Sequence, residues 1–427
     1  MNTFPKTTRM RKMAVLALLA SPVTAALATD GYFSHGYGMK SKGMGGASVA
    51  MTDNAFAGAN NPAIAAWAGD RVEVGVDVFM PERSMERTGL GVTKSDSNTF
   101  YVPEFGYNKK FSEQLGLGIT VYGNGGMNTD YPANSIPANG CGAGAPASNV
   151  FCGSGRLGVD LQQLIIAPTI AYKFNPNHSI GISPLLVQQI FKVDGLQAFD
   201  NPPGYPPMTG APGQVTNNGY DSSNGFGMRL GYLGKINDRV MIGASYAPRI
   251  SMSKLGKYAG LFAEQGGLDI PENYTVGLSA QATPEVTLAL DYQHIAYGAV
   301  RSIANPSTGL GGPLGAANGP GFAWKDINVV KLGVQWALSQ SVTLRGGINI
   351  ADNPIPSSAA SFNTLAPGVI TTHYTAGITY ALSNTTDLTA SYMVAPSNSV
   401  SGPNQGGGTD TIKMNQQSLG LQFGWHW

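Results

Sequence analysis

The chain has 427 residues and a formal net charge of +1, with 57 glycines, 27 prolines and only 12% charged residues. No basic stripe is present, which argues against a nucleic-acid partner. A mean hydropathy of −0.05 with so little charge fits neither a water-soluble domain, which carries more charge, nor a helical membrane protein, which is far more apolar.

The first element in chain order is a leader. Lys6, Arg9, Arg11 and Lys12 precede the apolar run MAVLALLASPVTAALA, which ends on the small-x-small site Ala26-Leu27-Ala28. Residues 1–28 read as a cleaved secretory signal peptide, leaving a mature chain that starts near Thr29. The run is short and broken by Ser21 and Pro22, which argues against a retained anchor. Residues 29–70 come next. They are rich in Gly and Ala, with a few apolar anchors such as Tyr32, Phe33 and Trp67.

Strands begin at residue 71. RVEVGVDVFM sets Val72, Val74, Val76, Val78 and Met80 on one face, against Arg71, Glu73, Asp77 and Phe79 on the other. Strand starts fall near residues 71, 99, 115, 161, 178, 226, 239, 272, 286, 327, 341, 373, 387 and 418, fourteen in all. Six connections are short turns (NKKFSE, NPN, INDR, ATPE, LSQS, SNTT). They alternate with seven long ones, among them 124–160, 194–225, 298–326 and 396–416. The chain ends on SLGLQFGWHW, which puts Leu419, Leu421, Phe423, Trp425 and Trp427 on one face.

Short turns alternating with long loops, an even strand count and an aromatic terminal strand predict an all-β protein. The fold expected is a 14-stranded antiparallel transmembrane β-barrel over 71–427, in the outer membrane of a Gram-negative bacterium. A soluble β-sandwich does not account for the leader, the loop alternation and the terminal strand together. A barrel of this size encloses a lumen wider than its own side chains fill. Residues 29–70, compact and rich in small residues, are expected to plug it as a hatch; a disordered periplasmic tail is the alternative.

Catalytic signatures are missing from the sequence. His35, His178, His294, His373 and His426 are scattered, without metal-ligand spacing. There is no nucleophile elbow and no phosphate loop. Ser245 and His294 fall on non-adjacent strands, which argues against a barrel hydrolase. The expectation is a non-enzyme with no metal and no cofactor. Cys141 and Cys152 share one long loop and are a disulfide candidate in an oxidising compartment, with two free thiols as the alternative.

The run G-x-x-x-x-x-x-G-M-G-G-A at residues 36–47, followed by Asn61-Pro62-Ala63, resembles the hatch of FadL-like outer-membrane transporters. PEFGYNKKFSEQLGLGITVYGNGG, LDIPENYTVGLSAQATPEVTLALDYQHIAYG, FAWKDINVVKLGVQW and LRGGINIADNPIP resemble later strands of the same family, so the likeness covers most of the mature chain. The resemblance implies passive uptake of long-chain fatty acids or, in some branches, aromatic hydrocarbons. Extracellular loops catch the ligand, an apolar lumen site holds it, and a kink in the third strand lets it leave sideways into the membrane.

In this chain the third strand carries Gly123, Gly125 and Gly126, and glycine inside a strand marks a bulge or bend. The wall opening is expected at Tyr122, Gly123, Asn124, Gly125 and Gly126, in contact with a lateral gate of Asn61, Pro62 and Ala63. The alternative is that these glycines only end the strand. For a fatty-acid carboxylate, Lys325 matches a basic position of the family, with Asp326 beside it as a competing partner. Lys192 stands near the place of a second basic group, slightly displaced. The arginine expected there is missing, which keeps aromatic-hydrocarbon uptake open as the alternative. A general diffusion porin or a structural barrel is the reading from a different class. The partners expected are hydrophobic small molecules, outer-membrane lipid and lipopolysaccharide, and the barrel-assembly machinery acting on the C-terminal strand. The protein is expected to be a monomer.

Overall fold

The computed structural model describes residues 30–204, 206–308, 311–404 and 406–427. The leader expected over 1–28 lies outside the described residues. Strands β1 (Arg71–Arg87), β2 (Gly91–Lys94), β3 (Phe100–Lys110), β4 (Leu115–Tyr131) and β5 (Leu157–Asn175) are followed by β6 (His178–Asp194), β7 (Asp221–Asn237), β8 (Val240–Ala247), β9 (Asn273–Gln281) and β10 (Val286–Ile295). The last five are β11 (Ile327–Ala337), β12 (Val342–Ala351), β13 (Thr372–Ala381), β14 (Thr386–Pro403) and β15 (Thr409–His426). Each wall strand pairs antiparallel with the next, and β15 pairs with β1 from Arg71–His426 to Arg87–Asp410, closing the ring. The short β2 pairs with the tip of β1 and stands outside the ring, so the wall has the fourteen strands expected.

Several strands are longer than the alternation predicts. β5 starts at Leu157 rather than 161, β7 at Asp221 rather than 226, and β15 at Thr409 rather than 418. The expected long loop over 396–416 is therefore mostly strand. On β5 and β15 the cause is an inversion of the two faces partway up the strand, whereas the added residues of β7, Asp221 to Gly225, are polar or glycine on both faces. On lower β15, Leu419, Leu421, Phe423 and Trp425 point outward and are 41–48% exposed. On upper β15 the inward residues Ile412 and Met414 are the apolar ones, and Lys413 is exposed. The hydrogen-bond ladder continues through this change while the hydropathy pattern flips phase, so a search for one apolar face ends the strand too early.

The lower outer surface is a belt of exposed Leu, Val and Ile. Phe111, Phe174, Trp336, Tyr380 and Trp425 lie near the short-turn rim, and Tyr101, Tyr246, Tyr292 and Tyr374 lie higher up. An apolar band between aromatic girdles is the surface a bilayer-spanning barrel presents. With no water in the bilayer core, ring closure satisfies the backbone groups of the wall.

Residues 30–68 are buried almost throughout and pack against the inward faces of the strands. They include a one-turn helix, α1 (Met39–Lys42), and a 3-10 helix at Pro62–Ala66. Small residues on both sides let backbone approach backbone. A Cβ on Gly181 would lie 2.4 Å from the Pro62 carbonyl carbon, and one on Gly231 would lie 2.1 Å from Asn61 Oδ1. Gly231→Val is therefore expected to push the segment off the wall and destabilise the barrel by about 1–3 kcal/mol. A lower temperature for loss of the folded band on heat-modifiability gels checks this. Gly346→Ala is the control, because its nearest neighbour is 3.6 Å away, and it should leave that temperature unchanged.

Candidate functional site

The ladder between β3 and β4 is interrupted. It runs from Lys110–Gly116 to Phe105–Val121 and stops there, although β3 continues to Phe100 and β4 to Tyr131. On its other side β4 stays paired with β5 along its whole length, with a bulge between Gly123 and Gly125 that makes Asn124 the extra residue. Past the bulge, the free edge of β4 turns to the lumenal segment. Ser34 N–H donates to Asn124 O (3.2 Å) and Gly126 N–H donates to Tyr32 O (3.1 Å). Tyr37 Oη–H donates to Asn124 O (3.1 Å), and Asn124 Nδ2 donates to Gln163 Oε1 (2.9 Å). Gly125 is required at this point, since a Cβ there would lie 2.0 Å from Tyr32 O.

The interruption ends above. Asp96 N–H donates to Asp130 O (2.9 Å), and Asp130 N–H donates to Ser95 Oγ (3.0 Å). Arg156 bridges the side chains of Asp130 and Asp96 from outside, and those hydrogen bonds hold its guanidinium pKa above the ordinary value. The result is a window in the wall, bounded by Phe100–Glu104 on one edge and Tyr122–Tyr131 on the other.

Asn61, Pro62 and Ala63 do not touch this window, contrary to the sequence expectation. Asn61 caps the 3-10 helix by accepting from Ala63 N–H (3.1 Å), with Pro62 at the first helical position. Its Nδ2 donates to Val49 O and to Tyr232 O, both at 2.8 Å. The turn therefore sits on β6 and β7, at Gly181 and Gly231, and the helix meets β4 at Gly116 near its short-turn end. Two small wall residues attract the turn there, whereas the bulge is occupied by Tyr32–Ser34.

The lower lumen is ionic. Lys40 Nζ lies 2.8 Å from Glu73 and 3.5 Å from Asp387, and Lys42 Nζ lies 2.9 Å from Asp77 and 2.7 Å from Glu104. Arg345 pairs with Asp53 at 3.1 Å. Wall carboxylates also accept from segment backbone: Asp291 from Ser48 and Val49, Glu73 from Ala55, and Glu104 from Gly38. The upper lumen is apolar. Tyr32, Phe33, Tyr297 and Trp324 pack edge-to-face or tilted with ring centroids 5.1–6.1 Å apart, and Val159, Phe191, Ile327, Met393 and Met414 extend this core. Between the long loops lies a cavity of ≈1240 Å³ whose lining includes Ile136, Phe151, Phe199, Met208, Leu314 and Phe362. Cys141 and Cys152 form a disulfide on its wall.

Of the two lysines proposed as carboxylate ligands, Lys192 points away from the lumen and Lys325 is exposed. Lys325 is exposed while its neighbour Trp324 is buried, because the backbone is irregular before β11 and Ala323 has φ 58°. Asp326 accepts from Gly298 N–H at 2.7 Å. On β6 the odd residues point inward, so Lys192 points out, 3.0 Å from Asp194 and over the Tyr220 ring. The histidines are dispersed: His35 stacks on His373 inside, and His178 bonds Tyr232 on the wall. Among the described residues, no cluster of three or more His, Cys, Asp or Glu is placed to hold a metal.

Two features of the site escaped the sequence reading. Tyr32–Ser34 carry no motif signal as partners of the bulge. Arg83, buried behind the window on β1, shares the inward parity of Glu73, Asp77 and Phe79, and that parity was available as a signal.

Residues 18–425 match the outer membrane protein transport protein family (OMPP1/FadL/TodX). Among solved structures, the chain is similar to the P. putida toluene transporter TodX, with 18% identity, 92% of this chain and 99% of that one covered, and a TM-score of 0.67. The Ralstonia pickettii toluene transporter TbuX gives 16% identity, the same coverages and a TM-score of 0.64. A Pseudomonas aeruginosa FadL homologue gives 14%, again with those coverages, and 0.68. At such identities the likeness shows a shared fold. No curated protein matches the chain.

The ionic contacts predict what holds the lumenal segment down. Lys42→Met leaves Asp77 and Glu104 buried without their cation, at a cost of about 3–5 kcal/mol. The variant is expected to melt earlier and to raise steady ion conductance in planar bilayers above that of the unaltered protein. If both readings stay unchanged, the network does not anchor the segment.

Proposed function

The chain belongs to the outer membrane transport protein family of FadL and TodX, and from that premise we propose that it takes up hydrophobic compounds passively. In this reading residues 1–28 are a cleaved signal peptide, 29–70 the hatch, and 71–427 the barrel. Ligand is caught in the cavity between the long loops, passes into the apolar upper lumen, and leaves through the β3–β4 window into the outer leaflet of the outer membrane. Burial favours each apolar stage by about 25 cal/mol per Å² of apolar surface removed from water. Exit into lipid avoids returning the cargo to water, and the sequence supplies no site for an energy source. Lipid and lipopolysaccharide surround the barrel, the assembly machinery reads its terminal strand, and the protein acts as a monomer without enzymatic activity.

The observation that carries this reading is the interrupted β3–β4 ladder in an otherwise closed wall, set beside an apolar lumen. Long-chain fatty acids are the leading cargo. Aromatic hydrocarbons are the second reading, favoured by the ring cluster of Tyr32, Phe33, Tyr297 and Trp324 and by the toluene transporters among the similar structures. Mass spectrometry of compounds co-purified with the protein separates the two.

Deleting Asn124 tests the exit. It removes the extra residue of the bulge and lets β4 run on beside β3. Uptake of labelled fatty acid or toluene by cells expressing the deletion is expected to fall at least about tenfold, with the barrel still folded on heat-modifiability gels. Undiminished uptake by a folded deletion variant would falsify the lateral route.

A further inference from the structure

Arg83 forms no ion pair among the described residues, unlike Lys40, Lys42 and Arg345. Its side chain is 4% exposed, and its Nε has no hydrogen-bond partner. Its Nη2 reaches Ser95 Oγ at a long 3.4 Å, and its guanidinium carbon lies 5.6 Å from the centre of the Phe100 ring. It lines a narrow cleft with Phe79, Met127, Trp324, Pro367 and Met414. Phe100 is on the β3 edge of the window and Met127 on the β4 edge, so the cleft lies directly behind the opening.

No carboxylate lines this cleft among the described residues, and nearby carboxylates are engaged elsewhere. Asp410 is held by Arg87 and Ser361, Asp130 and Asp96 by Arg156, and Asp77 and Glu104 by Lys42. A second buried guanidinium, Arg229, differs in this respect, because its cleft contains the Asp291 carboxylate. A buried cation without an anion is costly and invites one. A guanidinium offers a planar fork of donors that fits a carboxylate.

Resting on the transport reading, we propose that Arg83 is the head-group site for an amphiphilic cargo. The carboxylate of a long-chain monocarboxylic acid docks on the guanidinium, and its chain lies along Trp324, Pro367 and Met414. The same contact selects acids over neutral molecules of equal length, and its place behind the window orients the acid just before exit. Lys192, which points outward, and the exposed Lys325 take no part.

The test is ligand titration of the purified full-length protein in detergent with three probes: oleate, oleyl alcohol and toluene. Arg83→Met is expected to weaken oleate binding by at least about tenfold while oleyl alcohol and toluene change less than about twofold. Arg83→Lys, which keeps the charge but not the fork, is expected to fall between the two. It also supplies the measurement if Arg83→Met does not fold. Unchanged oleate affinity in either variant, or equal losses for oleate and the alcohol, overturns the assignment. Uptake by cells expressing the unaltered protein is read separately. If that uptake persists while the oleate titration is insensitive to Arg83, the head-group site fails and the transport reading stands. If the unaltered protein neither binds the probes nor takes them up, both fail.

Discussion

A backbone polar group inside a bilayer has no water to turn to, so a wall made of strands can be interrupted only where something else takes over the hydrogen bonds. That constraint organises this molecule. Elsewhere among the described residues a ladder that pauses resumes, as β5–β6 does on either side of Ala167–Thr169, or is covered where it stops, as when Gly225 on β7 bridges Met252 above the end of β8. Between β3 and β4 the neighbouring strand is not replaced in the wall. Tyr32 and Ser34 reach across from inside and bond Gly126 and Asn124. The lumenal segment therefore packs inside the barrel and also takes over hydrogen bonds of the wall where the ladder stops. A chain lacking residues 30–37 would leave the edge of β4 unsatisfied at membrane depth.

The same segment explains the inversion of the faces. Below, it fills the lumen with backbone and charged side chains, so inward wall residues there are largely charged, polar or glycine, among them Glu73, Asp77, Glu104, Lys331 and Arg345, and the outward ones are apolar for lipid. Above it the lumen has no polar occupant, and the wall turns its apolar side inward: Met85, Phe191, Val193, Ile412 and Met414 are all buried there. The outward residues in this zone, such as Glu82 and Lys413, become polar and exposed. One barrel thus contains a salt-bridged base and an apolar upper chamber, and the boundary between them lies at the level of the window.

The fold was largely legible in the sequence because lipid imposes a strict code on the lower half of every strand. Val72 to Val78 and Leu419 to Trp425 alternate without error, and turns such as NPN and SNTT admit few alternatives. The upper halves were harder to read, since their phase reverses and loops and strands are equally polar outside. The bulge at Gly123–Gly126 was legible, because glycine there answers to a local steric demand. Its partner was not. Asn61-Pro62-Ala63 shows on its face that it is a capped turn, but the wall strand it rests on is set by Gly181 and Gly231, more than a hundred residues further along the chain. Lys325 was misplaced for a related reason. Parity carried back from Ile327 puts it inside, and the positive φ at Ala323 just upstream marks the irregular backbone that leaves it exposed.

The direction of the proposed route follows from comparing two barriers. To pass straight down, a ligand must displace residues 30–70. That motion separates Lys40 and Lys42 from Glu73, Asp77 and Glu104 in a space too tight for water to compensate them. It also pulls backbone away from glycines against which nothing larger fits. Sideways, the ligand meets Phe100 and Met127 at the window edges, apolar side chains that can change rotamer, while the ion pairs of Glu104 and Asp130 lie at its lower and upper limits. Beyond them lies lipid, whose affinity for the cargo is at least that of the chamber it leaves. A wall that is strong everywhere except beside its own apolar chamber needs no moving plug to send a hydrophobic molecule outward. Residues 30–70 serve the proposed route best by staying where they are.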